Sequence, residues 1–172
     1  MLTENNIQGN ENLIHSLVTA LENPSRSDHR KIRQQLLNCG DACVPVLEKM
    51  LSSEVAHTRW EAAKTLGALH DEATISALLR CLEDEDIGVR WVASEGLIAM
   101  GRTCIKPLMQ ALTERFHSIW LREGAQHILR SLRNLGMLHQ NELTVLEALE
   151  GIEPVMTVPW AAEAVLRSKT LQ

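Results

Sequence analysis

Residues 58–66, with the sequence TRWEAAKTL, recur in similar form at residues 89–97 as VRWVASEGL, an offset of 31 residues. The same register extends along the chain as a leucine series, with an alanine or isoleucine four residues before each leucine. The leucines are Leu36, Leu66, Leu97, Leu129 and Leu166, and the preceding residues are Ile32, Ala62, Ala93, Ala125 and Ala162. Residues four apart lie on one face of a helix, and a small residue there lets a neighbouring helix approach closely. The series therefore predicts five similar helices, which we call the second helices of the repeats.

A further apolar series lies between these segments and predicts a partner helix, the first helix, for each repeat. Its members are Leu17, Leu47, Leu78, Leu108 and Val145, each followed four residues later by Leu21, Leu51, Leu82, Leu112 and Leu149. Two helices in each period of roughly 30 residues indicate a solenoid, in which a unit buries its apolar face only by stacking on its neighbours. We place five repeats at about residues 10–40, 41–70, 71–101, 102–136 and 137–172, within a single domain spanning residues 1–172.

The composition is typical of a packed helical protein. Apolar residues make up 45% of the 172 residues but aromatic residues only 3%, so the core must consist of aliphatic side chains that pack between helices. The formal charge of -5 argues against an extended phosphate-binding surface, because nucleic-acid binding draws on many lysines and arginines. A nucleic-acid partner is therefore disfavoured.

The N-terminal segment and the cysteines favour a cytoplasmic location. Residues 1–10 lack the basic start and apolar run of a secretory signal, and no later stretch approaches membrane-spanning length, so we expect no membrane partner. The four cysteines form no C-x-x-C pair and are spread among helix-forming residues, which suits a reducing compartment. They are Cys39, Cys43, Cys81 and Cys104.

The clearest family signal lies in residues 59–69, RWEAAKTLGAL, together with residues 77–82, ALLRCL. These strings resemble the HEAT-like repeats of the phycobilin lyase type, and the resemblance is strongest over residues 41–112. It implies a right-handed α-α superhelix whose second helices line a concave face, where partners usually bind. Repeats of this kind occur in adaptors, assembly factors, chromophore lyases and one class of iron hydroxylase, so the resemblance indicates fold more sharply than function.

The predicted concave face carries three of the four tryptophans. With Ala62 and Leu66 in the core, the neighbouring positions of each second helix point away from it. The resulting candidate partner-binding residues are Arg30, Gln34, Trp60, Lys64, Trp91, Glu95, Glu123, His127 and Trp160. Tryptophan is enriched at binding hot spots, although a tryptophan in a repeat also serves to cover the adjoining helix.

We therefore expect a non-catalytic scaffold or adaptor that binds another protein through this face. One alternative is a phycobilin lyase-like protein that binds or chaperones a chromophore, because Trp-lined second helices suit a tetrapyrrole as well as a protein. A nucleic-acid-binding HEAT-like protein is a more distant alternative.

The sequence shows no recognisable catalytic set, so we expect no catalytic residues, no cofactor and no metal. There is no H-E-x-x-H motif and no set of Ser, His and Asp typical of a nucleophilic site. The HEAT-like iron hydroxylase holds its metal with His-Glu pairs, and the matching places here read Trp60-Glu61, Trp91-Val92 and Glu123-Gly124. The imidazole ligands are therefore missing at those places.

Arginines recur at the start of three second helices, at Arg59, Arg90 and Arg122. In HEAT repeats such an arginine commonly pairs with an acidic residue of the preceding turn, and Asp86 precedes Arg90 by four residues. A regularly spaced charge with a regularly placed partner is what stacking alone requires. We therefore interpret the arginines as structural.

Overall fold

The computed structural model describes residues 4–168, with side chains described from residue 10, and it is helical throughout this range without a strand. Ten α-helices follow one another, with short 3-10 turns at Gly40–Cys43, Glu72–Thr74 and Gly101–Cys104. The helices are α1 (Glu4–Leu21), α2 (His29–Asn38), α3 (Val44–Met50), α4 (Ala56–Leu69), α5 (Ile75–Cys81), α6 (Ile87–Met100), α7 (Ile105–Glu114), α8 (Ile119–Asn134), α9 (Gln140–Glu150) and α10 (Pro154–Arg167). The all-α fold class predicted from the repeats is confirmed, and the arrangement is that of a HEAT-repeat solenoid.

Local sequence signals explain where the second helices begin and end. The Asp86 carboxylate accepts a hydrogen bond from the Val89 amide at 3.1 Å and caps α6, and the Ser118 hydroxyl accepts one from the Leu121 amide at 3.2 Å and caps α8. Gly101 ends α6 with φ of 62°, a conformation that favours glycine because it has no Cβ. These residues keep the connections short.

The leucine series form the core between the helix layers. Leu66 and Leu97 are fully buried, as predicted, and so are the alanines four residues before them. Leu166 is the exception in its series, because it is only partly buried against the core. Stacking of the repeats thus buries one continuous apolar cluster.

The tightest helix contact lies between α4 and α6, where two glycines meet. A Cβ built on Gly96 would lie 2.8 Å from the Cα of Gly67, and the reverse holds for a Cβ on Gly67. Real Cβ atoms do not approach backbone carbons so closely. The short distance between the two helices therefore requires that both residues be glycine. Second helices of adjacent repeats thereby come close enough for their exposed side chains to touch.

The last helix pair departs from the repeat pattern. In the preceding repeats second helices pack on second helices, since α4 contacts α6 and α6 contacts α8. Helix α10 instead packs mainly against α7 and α9, whereas α9 packs against α8. The buried carboxylate of Glu142 on α9 receives two hydrogen bonds from Arg102, at 2.9 and 3.0 Å, which ties α9 to the turn before α7.

This packing corrects the predicted location of Trp160. The sequence register assigned Trp160 to the row of second helices, but its helix covers α7, which belongs to the layer of first helices. The helical period identifies the apolar face of α10, namely Val158, Ala162 and Val165, but not the neighbour that this face contacts. Trp160 therefore lies outside the row formed by α2, α4, α6 and α8. Its side chain is 74% exposed.

We expect Gly96→Ala to destabilise the protein by about 1–3 kcal/mol, because the new methyl group collides with backbone and must push α4 and α6 apart. Gly124→Ala on α8 is the matched control. A Cβ there first meets the Leu82 Cδ2 methyl at 3.1 Å, which is the movable end of a side chain. Urea unfolding of both variants measures the difference, and equal stabilities would show that the glycine contact does not set the helix spacing.

Candidate functional site

The second-helix face, formed by α2, α4, α6 and α8, displays most of the predicted partner-binding residues. Arg30, Gln34, Lys64 and Glu123 are exposed, and Glu95 and His127 are partly exposed. The two remaining tryptophans differ, because Trp91 is 57% exposed whereas Trp60 is partly buried against the core. On this face the Trp91 indole is exposed to solvent, whereas the Trp60 indole also packs against the core.

An aromatic groove of about 220 Å³ lies between α6 and α8 on this face. The rings of Trp91 and His127 lie 4.8 Å apart with an interplanar angle of 31°. The guanidinium of Arg90 lies 4.8 Å from the centre of the Trp120 ring. Residues of both helices thus hold the two indoles at the rim of one groove, which Glu123 also lines.

His127 connects the groove to Glu95. Its Nε2 atom lies 3.0 Å from the Glu95 Oε1, so an Nε2–H donates to the carboxylate, and this bond orients the ring that faces Trp91. The sequence register had proposed all three residues as separate members of a stripe. The structure brings them together across two repeats.

Trp120 is a groove residue that the sequence register did not include. It lies two residues before Arg122, whereas Trp60 and Trp91 each follow the corresponding arginine. The signal that could have identified it is its place in the first turn of α8, one turn from Glu123. Residues three apart are neighbours on a helix surface, so Trp120 shares the exposed side of α8.

Trp60 occupies a different setting from Trp91. Its indole lies against Gly88 at the start of α6, where an added Cβ would be 3.3 Å from the indole Cδ1 atom. The guanidinium of Arg33 on α2 lies 5.8 Å from its ring centre. Trp60 on α4 thus has neighbours on both α2 and α6. Its indole covers the adjoining helix, which is the alternative role expected for a tryptophan in a repeat.

The repeated arginines bind the turns that precede their helices, which supports the structural interpretation. Arg59 donates to the carbonyl oxygen of Ser53 at 2.9 Å, and Arg90 donates to that of Asp84 at 2.6 Å. Arg122 donates to the carbonyl oxygen of Phe116. Arg90 does not form the predicted pair with Asp86. The Asp86 side chain caps α6 instead.

One of these arginines also forms a buried ion pair with the next repeat. Arg59 contacts both carboxylate oxygens of Asp84, with Nε to Oδ2 at 2.7 Å and Nη2 to Oδ1 at 2.8 Å. Burial of this carboxyl group opposes its ionisation, but the hydrogen bond and charge of Arg59 outweigh that effect, so the pKa of Asp84 lies below its usual range. The pair joins α4 to the turn before α6.

A histidine–glutamate cluster, consisting of His29, His57 and Glu61, lies where α2 meets α4. Each residue offers a potential ligand atom within 4.8 Å of the other two. Its members come from two repeats, so no single sequence motif contains the cluster. The available signal was the spacing of His57 and Glu61, which are four residues apart and share a helix face.

The buried cysteines are poor candidates for chemistry. Burial raises the pKa of Cys43 to about 11 and the pKa of Cys81 and of Cys104 to about 12. These thiols therefore stay protonated at neutral pH, and the thiolate is the form that attacks electrophiles or binds metals. They fill space in the apolar core.

Comparison with known families matches residues 14–98 to the family described as HEAT repeats. The matched range runs from within α1 to within α6 and contains both segments with which the repeat was recognised. No curated protein matches the sequence. Between residues 4 and 168, no helix has the length and apolar character needed to cross a membrane.

We expect Asp84→Ala to cost about 3–5 kcal/mol of stability at neutral pH, because it leaves the buried charge of Arg59 without its main partner. The difference from the unchanged protein should begin to shrink as the pH falls below about 4, the usual pKa of an aspartate in the unfolded chain. It should disappear once the pH is also below the lowered pKa of Asp84 in the folded protein, because the carboxylate is then protonated in both states. Chemical unfolding at pH 7 and at several acid pH values measures both effects.

The control for this variant is Glu85→Ala. Glu85 also contacts Arg59, at 3.1 Å, but its side chain is 80% exposed, so its loss should cost less than about 1 kcal/mol. Equal costs for the two variants, or a difference at Asp84 that does not depend on pH, would contradict the buried ion pair as the source of stability.

Proposed function

Because this chain is a HEAT-like repeat protein, we propose that it is a non-catalytic scaffold that binds another protein through its second-helix face. HEAT repeats commonly mediate protein interactions. The observation that carries the proposal is the aromatic groove between α6 and α8. The central contact is Trp91, whose indole is exposed although it is a large apolar group.

The groove is prepared for binding because its aromatic rings already have neighbours that orient them. His127 contacts Trp91, and Arg90 lies over Trp120. Side chains held in place before binding lose less conformational freedom on association, so more of the contact energy appears as affinity. An amphipathic indole in such a setting is the usual kind of interface hot spot.

The charges around the groove favour a protein segment over nucleic acid. Arg90 supplies a positive charge, whereas Glu95 and Glu123 place negative charges beside the aromatic rings. A phosphate backbone would be repelled by these carboxylates, and the net charge of -5 adds no compensating attraction. A peptide segment with an apolar side chain and mixed charges fits this rim better.

We expect Trp91→Ala and Trp120→Ala each to weaken partner binding by about 2 kcal/mol, roughly thirtyfold, with the melting transition nearly unchanged. The immobilised protein is used to capture proteins from its source cell, and a captured protein identified by mass spectrometry is purified for titration. Affinity is then measured on folded variants.

Two further tryptophans serve as controls for this experiment. Trp160→Ala removes an indole that is more exposed than that of Trp91 and lies outside the second-helix face, and it should leave the affinity unchanged. Trp60→Ala should lower stability first, because its ring packs against α6 and the core. A partner that binds the Trp91→Ala and Trp120→Ala variants as tightly as the unchanged protein would refute the groove as the contact site.

A further inference from the structure

We infer that His29, His57 and Glu61 form a binding site for one divalent transition-metal ion of the zinc type. The three side chains meet between the first turns of α2 and α4, away from the aromatic groove. Two imidazoles and a carboxylate supply nitrogen and oxygen ligands, the combination that suits Zn²⁺, Co²⁺ and Ni²⁺. This inference revises the expectation of a metal-free chain and does not depend on the proposed protein partner.

The hydrogen bonds of His29 leave one ring nitrogen directed at a carboxylate. Its Nε2 lies 2.8 Å from the Asn23 carbonyl oxygen, which can only accept, so the hydrogen of the ring is on Nε2. Its Nδ1 lies 3.1 Å from the Glu61 Oε1. In the neutral ring two lone pairs then face each other, and a cation must lie between them, either a proton on Nδ1 or a metal ion.

The arrangement around His29 is the one that metal-binding histidines usually have. A ligating histidine generally donates its other ring N–H to a backbone carbonyl or a carboxylate, which fixes the ring orientation. The bond from Nε2 to the Asn23 carbonyl does this here. Nδ1 is thereby presented as the ligand.

His57 provides an independent reason to place a metal at this position. Its Nε2 is buried, and no side chain or backbone group among the described residues hydrogen-bonds to it. A buried polar atom without a partner is costly, so it normally has a function or an unseen ligand. Its ring lies 5.0 Å from that of His29, at an angle of 40°, and one of its ring nitrogens lies within 4.8 Å of the ligand atoms of His29 and Glu61.

Glu61 completes the ligand set and is itself held in place. Its side chain is only 2% exposed, and its second oxygen, Oε2, accepts a hydrogen bond from Arg33 at 2.5 Å. Ligating carboxylates are commonly fixed by such a neighbour. The arginine leaves Oε1, the oxygen nearest His29, free to bind an ion.

One of the three separations already fits a tetrahedral ion, and His57 can approach by turning its side chain. Ligand atoms at Zn–N and Zn–O distances of about 2.0–2.2 Å lie about 3.3 Å apart in tetrahedral geometry. The separation of His29 Nδ1 and Glu61 Oε1 is 3.1 Å, and all three ligand atoms lie within 4.8 Å of one another. Three protein ligands leave the fourth position for water, and the ion would join the second helices of two adjacent repeats.

We test the site with the full chain stripped of metal by a chelator and titrated with Zn²⁺ against a chromophoric competitor. We expect one equivalent to bind and to raise the melting temperature, and Co²⁺ to give the intense visible bands of four-coordinate geometry. Ca²⁺ and Mg²⁺, which prefer oxygen ligands, should have no such effect. His57→Ala and Glu61→Gln should each weaken Zn²⁺ binding at least tenfold.

The control is His15→Ala, which removes an exposed imidazole from α1 and should leave Zn²⁺ affinity unchanged. If Glu61→Gln fails to fold because Arg33 loses its charged partner, His57→Ala decides alone, since the His57 side chain has no hydrogen bond to lose within the described chain. Absence of stoichiometric Zn²⁺ binding, or equal affinity in His57→Ala, overturns the site. Glu61 would then be held by its contacts with His29 and Arg33 alone.

Discussion

The contact between Gly67 and Gly96 is the constraint on which the second-helix face depends. Because neither residue has a side chain, α4 and α6 approach until their backbones touch. Side chains that project from adjacent second helices are then within reach of one another. The indole of Trp60 on α4 lies against Gly88 at the start of α6, which is one such contact. Side-chain contacts on this face thus form between repeats as well as within single helices.

Periodicity in the sequence was sufficient to predict the helices and their buried sides. In every repeat an alanine or isoleucine precedes a leucine by four residues, and a helix with its apolar residues spaced in this way has one face to bury. Leu66 and Leu97 therefore lie where the spacing placed them. The same reasoning failed for α10, because periodicity describes one helix and the choice of neighbour depends on two surfaces. Helix α10 packs against α7 and α9, and its own sequence does not indicate this choice.

The candidate sites were harder to predict because each combines residues that are about thirty positions apart. Trp91 and His127 were recognised individually, but their ring contact depends on the distance between α6 and α8. Trp120 was missed because it does not share the register of the other tryptophans. The histidine–glutamate cluster was missed for a different reason, because His29 comes from another repeat than His57 and Glu61. A search within single motifs detects only sites that one segment contains.

The turn before α6 also has a consequence for how the protein opens. Its Asp84 binds Arg59 of the preceding repeat through the carboxylate and Arg90 of its own repeat through the backbone carbonyl. Opening either helix therefore breaks contacts made by the other, so the free energy of fraying is shared between them. We therefore expect the central repeats to open as one cooperative unit, with amide hydrogens that exchange together and more slowly than those of the outer helices.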